Sequence, residues 1–270
     1  MQRLRRLVRR RSLRQSERVF VLEGAKVVAA ALEAGVPLEG LYLAPEGGED
    51  PATAALVDRA RDAGVRRHHL APGVMERVAD TVTPQPVLAL APFLDVDLDR
   101  LAGASLVVVC ADVRDPGNAG TVLRSAAAAG AEGVVVCRGS VDLYNPKVVR
   151  ASAGALCNLT VVVGDDPLAV VDRLGQFGLA RLGAVVGGGT DYTEVDMVAP
   201  VAVVLGNEAT GLPPELAGAV DTRVSIPMAG RTESLNVGVT AAVLCFEAAR
   251  QRRAVRGSGS VDEGVLTAGA

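Results

Sequence analysis

Two successive α/β units, the second built on a parallel sheet, are what this 270-residue chain predicts. Three observations carry that expectation. Short strands alternate with helices from residue 19 to about residue 250. The strands of the second half are near-continuous apolar runs, which is how strands covered on both faces of a parallel sheet read. Between the halves, Pro84, Pro86 and Pro92 and the acidic run Asp95–Asp99 mark a boundary near residues 92–104.

Residues 3–14 read as a basic helix. Val19–Glu23, Gly40–Ala44, Val65–Leu70 and Val87–Ala91 follow as strands, with helices at Ala25–Ala34, Pro51–Ala63 and Gly73–Ala79 between them. In the second half the strands are Leu106–Cys110, Gly133–Cys137, Leu159–Val163, Leu179–Val186 and Val201–Leu205, with a further short run ending at Ile226. The expected division is a basic arm over 1–16, a small α/β domain over 17–95, a larger domain over 96–253 and a disordered Gly/Ser/Ala-rich tail over 254–270.

Composition narrows the function. Hydrophobic residues make up 49%, ample for a core, but aromatics only 3% and Trp is absent, so base stacking on an aromatic platform is not expected as the main mode of recognition. The formal charge of −3 conceals a segregation: residues 1–18 carry eight Arg and one acid, and the rest carries a net −10. Such an arm reads either as a polyanion contact or as a solvated amphipathic helix. Cys110, Cys137, Cys157 and Cys245 lie in apolar runs without a CxxC pair, which fits buried free thiols in a reducing cytoplasm. His68 and His69 are adjacent and face opposite ways on a strand, so no metal site is expected. No apolar run reaches the roughly 18 residues that span a bilayer, and no signal-peptide core follows the Arg-rich start. A soluble cytoplasmic protein is expected.

Three strand-end loops concentrate the remaining polar chemistry. In the first, DVRDPGNAGTVLRSAAAAG (residues 112–130), a buried strand turns into a helix with Asn118 as the expected N-cap. Arg124 is the only ionisable side chain between Asp115 and Glu132; it is either solvent-facing or a guanidinium offered to a phosphate. In the second, VVLGNEATGLP (203–213), Gly206 and Gly211 have P-loop-like spacing, but Leu212-Pro213 replaces the phosphate-contacting Lys-Ser/Thr. No GxGxxG follows any strand, and Gly187–Gly189 lacks the later glycine, which opposes a dinucleotide-binding or Rossmann-type reading.

The third, SIPMAGRTESLNVGVTAAV (225–243), stops a strand at Pro227 and sets Ser234 as the expected N-cap of a long apolar helix. Val239, Ala242, Val243, Phe246 and Ala249 form one face of that helix. Ala241, Leu244, Cys245 and Ala248 form the other, so both faces demand cover. The second face, with its small side chains, is the one expected to meet a symmetric partner in a homodimer.

In order and spacing these loops resemble the three motifs of the SpoU (TrmH-like) family of RNA ribose 2′-O-methyltransferases, in the SPOUT class. The matching residues are Asn118, Arg124 and Gly130; Gly206, Asn207, Glu208, Gly211 and Leu212; and Ile226, Pro227, Met228, Ser234, Leu235, Asn236 and Val237. LYNPKVVRASAGAL (143–156) resembles the segment between the first two motifs, and FVLEG (20–24) with TVTPQPVLAL (81–90) the family's N-terminal substrate-binding domain. Departures are Ala209, where a glycine is usual, and Gly238, where serine is frequent.

The resemblance implies a SPOUT-type parallel sheet with a trefoil knot, S-adenosylmethionine as cofactor, an rRNA or tRNA substrate and a homodimer with active sites completed across its interface. It places Leu205, Gly206, Asn207, Ile226, Met228 and Leu235 around the cofactor. Arg124, Asn118, Ser234, Asn236 and Glu208 become the candidate catalytic residues, with Glu208 as readily a structural cap. Neither metal nor membrane is implied. The alternative is a catalytically silent RNA-binding module of the same fold, against which the intact Arg124, Ser234 and Asn236 stand.

Overall fold

The computed structural model describes residues 1–45, 51–79, 81 and 83–258. The N-terminal basic segment forms two helices, α1 (Gln2–Arg9) and α2 (Arg11–Glu17), where one was expected; Arg10, in extended conformation, separates them. Their apolar side is not free. Leu4, Leu7 and Val8 are buried together with Val19, Val21, Leu88 and Leu90.

The first sheet has the order β1-β4-β2-β3, from β1 (Val19–Glu23), β2 (Gly40–Leu43), β3 (Arg67–His69) and β4 (Val87–Pro92). β4 runs antiparallel to both of its neighbours, and β2 and β3 are parallel. Alternation sorts its residues: Phe20, Leu22, Leu41 and Leu43 face α3 (Ala25–Glu33) and α4 (Pro51–Asp62). Val19, Val21, Leu88 and Leu90 face α1 and α5 (Val74–Val78). His68 stacks on Tyr42 across the β2–β3 pair, with ring centroids 4.8 Å apart.

The second sheet is wholly parallel, in the order β7-β6-β5-β10-β8-β11-β9. Its strands are β5 (Leu106–Cys110), β6 (Gly133–Val136), β7 (Thr160–Val163), β8 (Ala180–Ala184), β9 (Thr190–Asp191), β10 (Val201–Leu205) and β11 (Thr222–Ser225). The strands β5, β6 and β10 are buried on both faces, as their unbroken apolar sequences require. α6 (Pro116–Ala129), α7 (Pro146–Ala151) and α10 (Val237–Ser258) cover one face; α8 (Pro167–Gln176) and α9 (Pro214–Ala219) cover the other. α10 continues through Ser258, so residues 254–258 are helical where the sequence reading begins its tail; residues 259–270 lie outside the described residues.

The two sheets share one core, in which Phe20, Val28 and Ala89 join Val122, Val148 and Leu156. Polar ties reinforce the junction. Arg150 donates to the buried carboxylate of Glu23 at 2.6 Å, and Arg14 to Asp142 at 2.5 Å. Phe93 and Tyr144 stack with centroids 3.8 Å apart, and the Tyr144 hydroxyl donates to Asp95 Oδ1 at 2.7 Å.

The burial of α10 reverses one expectation. Ala241, Leu244, Cys245 and Ala248, assigned from the sequence to a partner, are 0–1% exposed within the single chain. Val239 and Phe246, on the opposite face, are each 44% exposed. Small side chains do permit close approach, but α10 uses them to lie on its own sheet and on α6. A Cβ on Gly238 would stand 2.8 Å from Thr121 Cβ, so the glycine sets how closely the two helices cross.

Candidate active site

The three motif loops meet at the C-terminal ends of β5, β10 and β11, where open parallel sheets hold their ligands. The second and third of them surround a cavity of about 660 Å³, within the roughly 300–1,000 Å³ range of small-molecule sites, and the first stands outside its wall, bonded to Glu208. All six residues assigned to the cofactor line it: Leu205, Gly206, Asn207, Ile226, Met228 and Leu235. Glu208 and Ser234 line it too, while Asn118, Arg124 and Asn236 stand outside its wall.

The sequence reading missed one side of the cavity, made by Ala184, Val185, Val186 and Gly187 at the end of β8. Its signal was present in the Gly187–Gly189 run: Gly187 and Gly188 take φ of 69° and 66°, a conformation that turns the chain sharply there.

The cavity wall is main chain and apolar side chain. Leu205, Ile226, Leu235, Val237 and Leu244 supply the apolar part, and among the described residues no Lys, Arg or His lines it. Its carboxylates are Glu208 and Glu233. A phosphate-bearing ligand would find no cation in this wall, whereas the sulfonium centre of S-adenosylmethionine suits a site with acidic groups and no competing positive charge. The residues present therefore fit that cofactor.

Two capping expectations are corrected. Asp115, not Asn118, caps α6: its Oδ1 accepts the Asn118 N–H at 2.8 Å, and Pro116 fills the first helical position. Likewise Asn236, not Ser234, caps α10, its Oδ1 accepting the Gly238 N–H at 2.9 Å.

With its backbone capped by Asp115, the Asn118 side chain is free to join the three loops. Its Nδ2 donates to Glu208 Oε1 at 3.0 Å, and its Oδ1 accepts from Asn236 Nδ2 at 2.7 Å. Glu208 also accepts the Asp115 N–H at 3.3 Å and, at 3.5 Å, the Arg114 N–H. Burial pushes the Glu208 carboxyl up, but the bond from Asn118 and the backbone N–H groups of Glu208, Asp115 and Arg114 outweigh it. The group lies below its ordinary value and is ionised at neutral pH.

Asn207 is committed to loop shape. Its Oδ1 accepts the Ala209 and Thr210 N–H groups at 2.9 and 3.3 Å, and its Nδ2 donates to the Asp112 carbonyl at 3.2 Å. Asn207 and Gly211 exchange both backbone hydrogen bonds, closing the loop on itself. Ala209, standing where a glycine is usual, is not among the non-glycine residues of positive φ, so its side chain is accommodated without strain.

Arg124 is exposed on α6, just under two turns beyond Asn118, with no carboxylate partner among the described residues. It does not join the Glu208–Asn118–Asn236 relay. Burial pushes the thiol of Cys245, on the inner face of α10, up to about 12 and that of Cys137 likewise to about 12, so neither is a nucleophile at neutral pH.

Comparisons with known proteins agree with this architecture. The family model described as SpoU rRNA Methylase matches residues 105–246, and that of the MRM3-like substrate binding domain matches residues 1–89. The chain is 30% identical over 233 residues to the 23S rRNA (guanosine(2553)-2′-O)-methyltransferase RlmP of Bacillus subtilis, covering 86% of this chain and 89% of that protein. The SpoU methyltransferase AviRb of Streptomyces viridochromogenes, crystallised with AdoMet, superposes with a TM-score of 0.83 at 29% identity, covering 93% of this chain and 97% of that one. A crystal structure of an RNA 2′-O ribose methyltransferase superposes with a TM-score of 0.79 at 36% identity, over 93% and 95% of the two chains. A SPOUT-type sheet, three motif loops gathered beside one cavity and matches along nearly the whole chain lead to one conclusion: the protein belongs to the SpoU family and is an S-adenosylmethionine-dependent RNA ribose 2′-O-methyltransferase.

Proposed function

We propose that this enzyme methylates a ribose of ribosomal or transfer RNA, that it works as a homodimer, and that the Glu208–Asn118–Asn236 relay is its positioning device. The observation that carries the proposal is that relay, which ties all three loops beside a cavity suited to a sulfonium ligand. Bound there, S-adenosylmethionine supplies an electrophilic methyl carbon. The residues of this chain have the remaining task of placing a 2′-oxygen in line with it and drawing off its proton.

Leu205, Gly206, Ile226, Met228 and Leu235 are assigned to hold the cofactor, with Asn207 shaping the loop from which it is gripped. Ser234 is exposed at the rim and lines the cavity, where its hydroxyl is available to the ribose. Asn236 and Asn118 hold the loops in register, and the ionised Glu208 anchors Asn118 as its acceptor and, through it, Asn236. Since an Arg remains protonated, Arg124 is assigned to grip the substrate phosphate and orient the nucleophile. The proton then leaves to that phosphate or to water.

The homodimer reading now rests on the outer face of α10. Val239 and Phe246 are exposed, with Val243 between them at helical spacing, on a helix that packs against α6, the helix that carries Arg124. A two-fold partner seated there would cover the apolar stripe and bring its own Arg124 towards the cleft.

The test is methylation of ribosomal and transfer RNA with labelled cofactor, followed by mapping of the modified ribose. Wild type should label one defined 2′-hydroxyl. Arg124→Ala should turn over at least about a hundredfold more slowly with cofactor affinity unchanged. Near-normal turnover by that variant would make Arg124 a surface residue only.

A further inference from the structure

The eight arginines of residues 1–18 divide into two groups. Three are committed to structure: Arg3 pairs with Glu17 and Glu39, Arg14 with Asp142, and Arg18 with Asp95. The other five, Arg5, Arg6, Arg9, Arg10 and Arg11, are exposed and have no carboxylate partner among the described residues. At about 100° per residue, Arg5, Arg6 and Arg9 fall within one stripe of α1, opposite the buried Leu4, Leu7 and Val8. The outward stripe of α1 is therefore cationic, carried by a body that is otherwise acidic.

That stripe has a fixed place relative to the cavity. Arg14 is 3% exposed; its Nη1 donates to the carbonyls of Leu7 and Val8 at 2.8 and 3.2 Å, where a cation also suits the C-terminal end of a helix. Its Nη2 reaches Asp142 in the larger domain, and the adjoining Val141 donates its N–H to the Val113 carbonyl at 2.9 Å. The next residue, Arg114, donates its N–H to Glu208. A continuous chain of bonds thus runs from the end of α1 to the relay beside the active site.

We infer that Arg5, Arg6 and Arg9 form an RNA phosphate anchor, held in register with the catalytic loops through the Arg14–Asp142 pair. The inference rests on the RNA-methyltransferase reading and adds the surface by which RNA is held away from the cavity. A membrane surface is disfavoured as the occupant. An interfacial helix buries its apolar face in lipid, and that face of α1 is already buried on the sheet.

The experiment compares wild type with the triple variant Arg5→Gln/Arg6→Gln/Arg9→Gln, measuring affinity for the substrate RNA from low to moderate salt. Loss of three phosphate contacts should weaken binding at low salt and reduce the slope of log K against log salt by about 2, at about 0.7 per contact on single-stranded RNA. Cofactor affinity and turnover at saturating RNA should stay at the wild-type level, and the corresponding triple Lys variant should regain most of the slope. Equal slopes in wild type and Gln variant, with methylation intact, would overturn the anchor and leave the enzymatic reading standing. Equal RNA slopes together with stripe-dependent binding to phosphatidylserine vesicles would assign the stripe to a membrane instead. A wild type that neither binds nor methylates RNA would overturn both readings.

Discussion

The cavity loops and the outer face of α1 treat polar groups in opposite ways. Beside the cavity a set of polar side chains is engaged within the fold: Asn118 by Glu208 and Asn236, Asn207 by Asp112 and its own loop, Asp115 by the start of α6. On α1 the outward arginines engage no carboxylate among the described residues. The contrast follows from what each region has to meet. A small cofactor and a single ribose oxygen demand a fixed shape, which mutual hydrogen bonding supplies before the ligand arrives. A polyanionic backbone demands available charge, which internal pairing would cancel. The same residue type appears in both roles: Arg14, buried and paired, is architecture, while Arg9, one stretch earlier, is surface.

The comparison breaks most sharply at Gly206. A Cβ there would lie 2.4 Å from the Gly211 carbonyl carbon and oxygen and 2.5 Å from the Leu212 nitrogen, all of them backbone atoms. Gly206→Ala must force the 207–211 loop open, so cofactor affinity should fall at least about a hundredfold by calorimetry, with secondary structure unchanged by circular dichroism. An unchanged dissociation constant would remove this loop from the cofactor site.

Next in size is the test of the α10 faces. Phe246→Glu places a charge on the exposed stripe, and sedimentation should show dimer affinity reduced about thirtyfold, the effect of losing a contact worth about 2 kcal/mol. Leu244→Glu, aimed at the buried face, should instead lower the melting temperature. A wild type that is monomeric at micromolar concentration would end the homodimer proposal.

These α10 faces also show where the sequence stops being informative. The loops are legible because their order, spacing and residue types together specify one family, and the buried strands of both sheets are marked by apolar runs and turn residues, whereas β9, the two polar residues Thr190–Asp191, carries no such mark. Which side of α10 faces inward is not legible, since both sides are apolar and periodicity cannot rank them. The deciding contact, Gly238 against Thr121, joins residues far apart in the chain. The caps are misread for a more local reason. Pro116 favours the first helical position and so points to Asp115, but Asn118 is an equally good capping type three residues on. The relay itself cannot be read at all. Three loops from three parts of the chain have to be folded before Asn118 is seen between Glu208 and Asn236.

The smallest expected effect lies within that relay, at Glu208. Its carboxylate accepts from Asn118 Nδ2, Asp115 N–H and Arg114 N–H, with Asp112 and Asp115 as acidic neighbours and Arg114 as the basic one. Gln offers a single carbonyl oxygen in place of two anionic ones, so Glu208→Gln leaves at least one of these donors without its acceptor. The loops should loosen without collapsing, because Asn207–Asp112 and Asn118–Asn236 remain. Turnover should fall about tenfold, less than the roughly hundredfold that follows a misplacement of about 1 Å, while cofactor affinity changes little. The pH profile tests whether the ionised form is the one required. A carboxyl lowered from its ordinary 4.5 in the folded protein contributes fully above that value, and its contribution is lost as pH falls through the lowered one. Wild type should therefore hold its activity through neutral pH and lose it on an acid limb below about 4.5, and the Glu208→Gln variant should flatten that limb while leaving the neutral plateau level. If turnover instead rises with pH through the neutral range in wild type and this dependence disappears in the variant, the Glu208 carboxyl does not lie below its ordinary value, and the three donors do not hold it as the anion that the loops are built on.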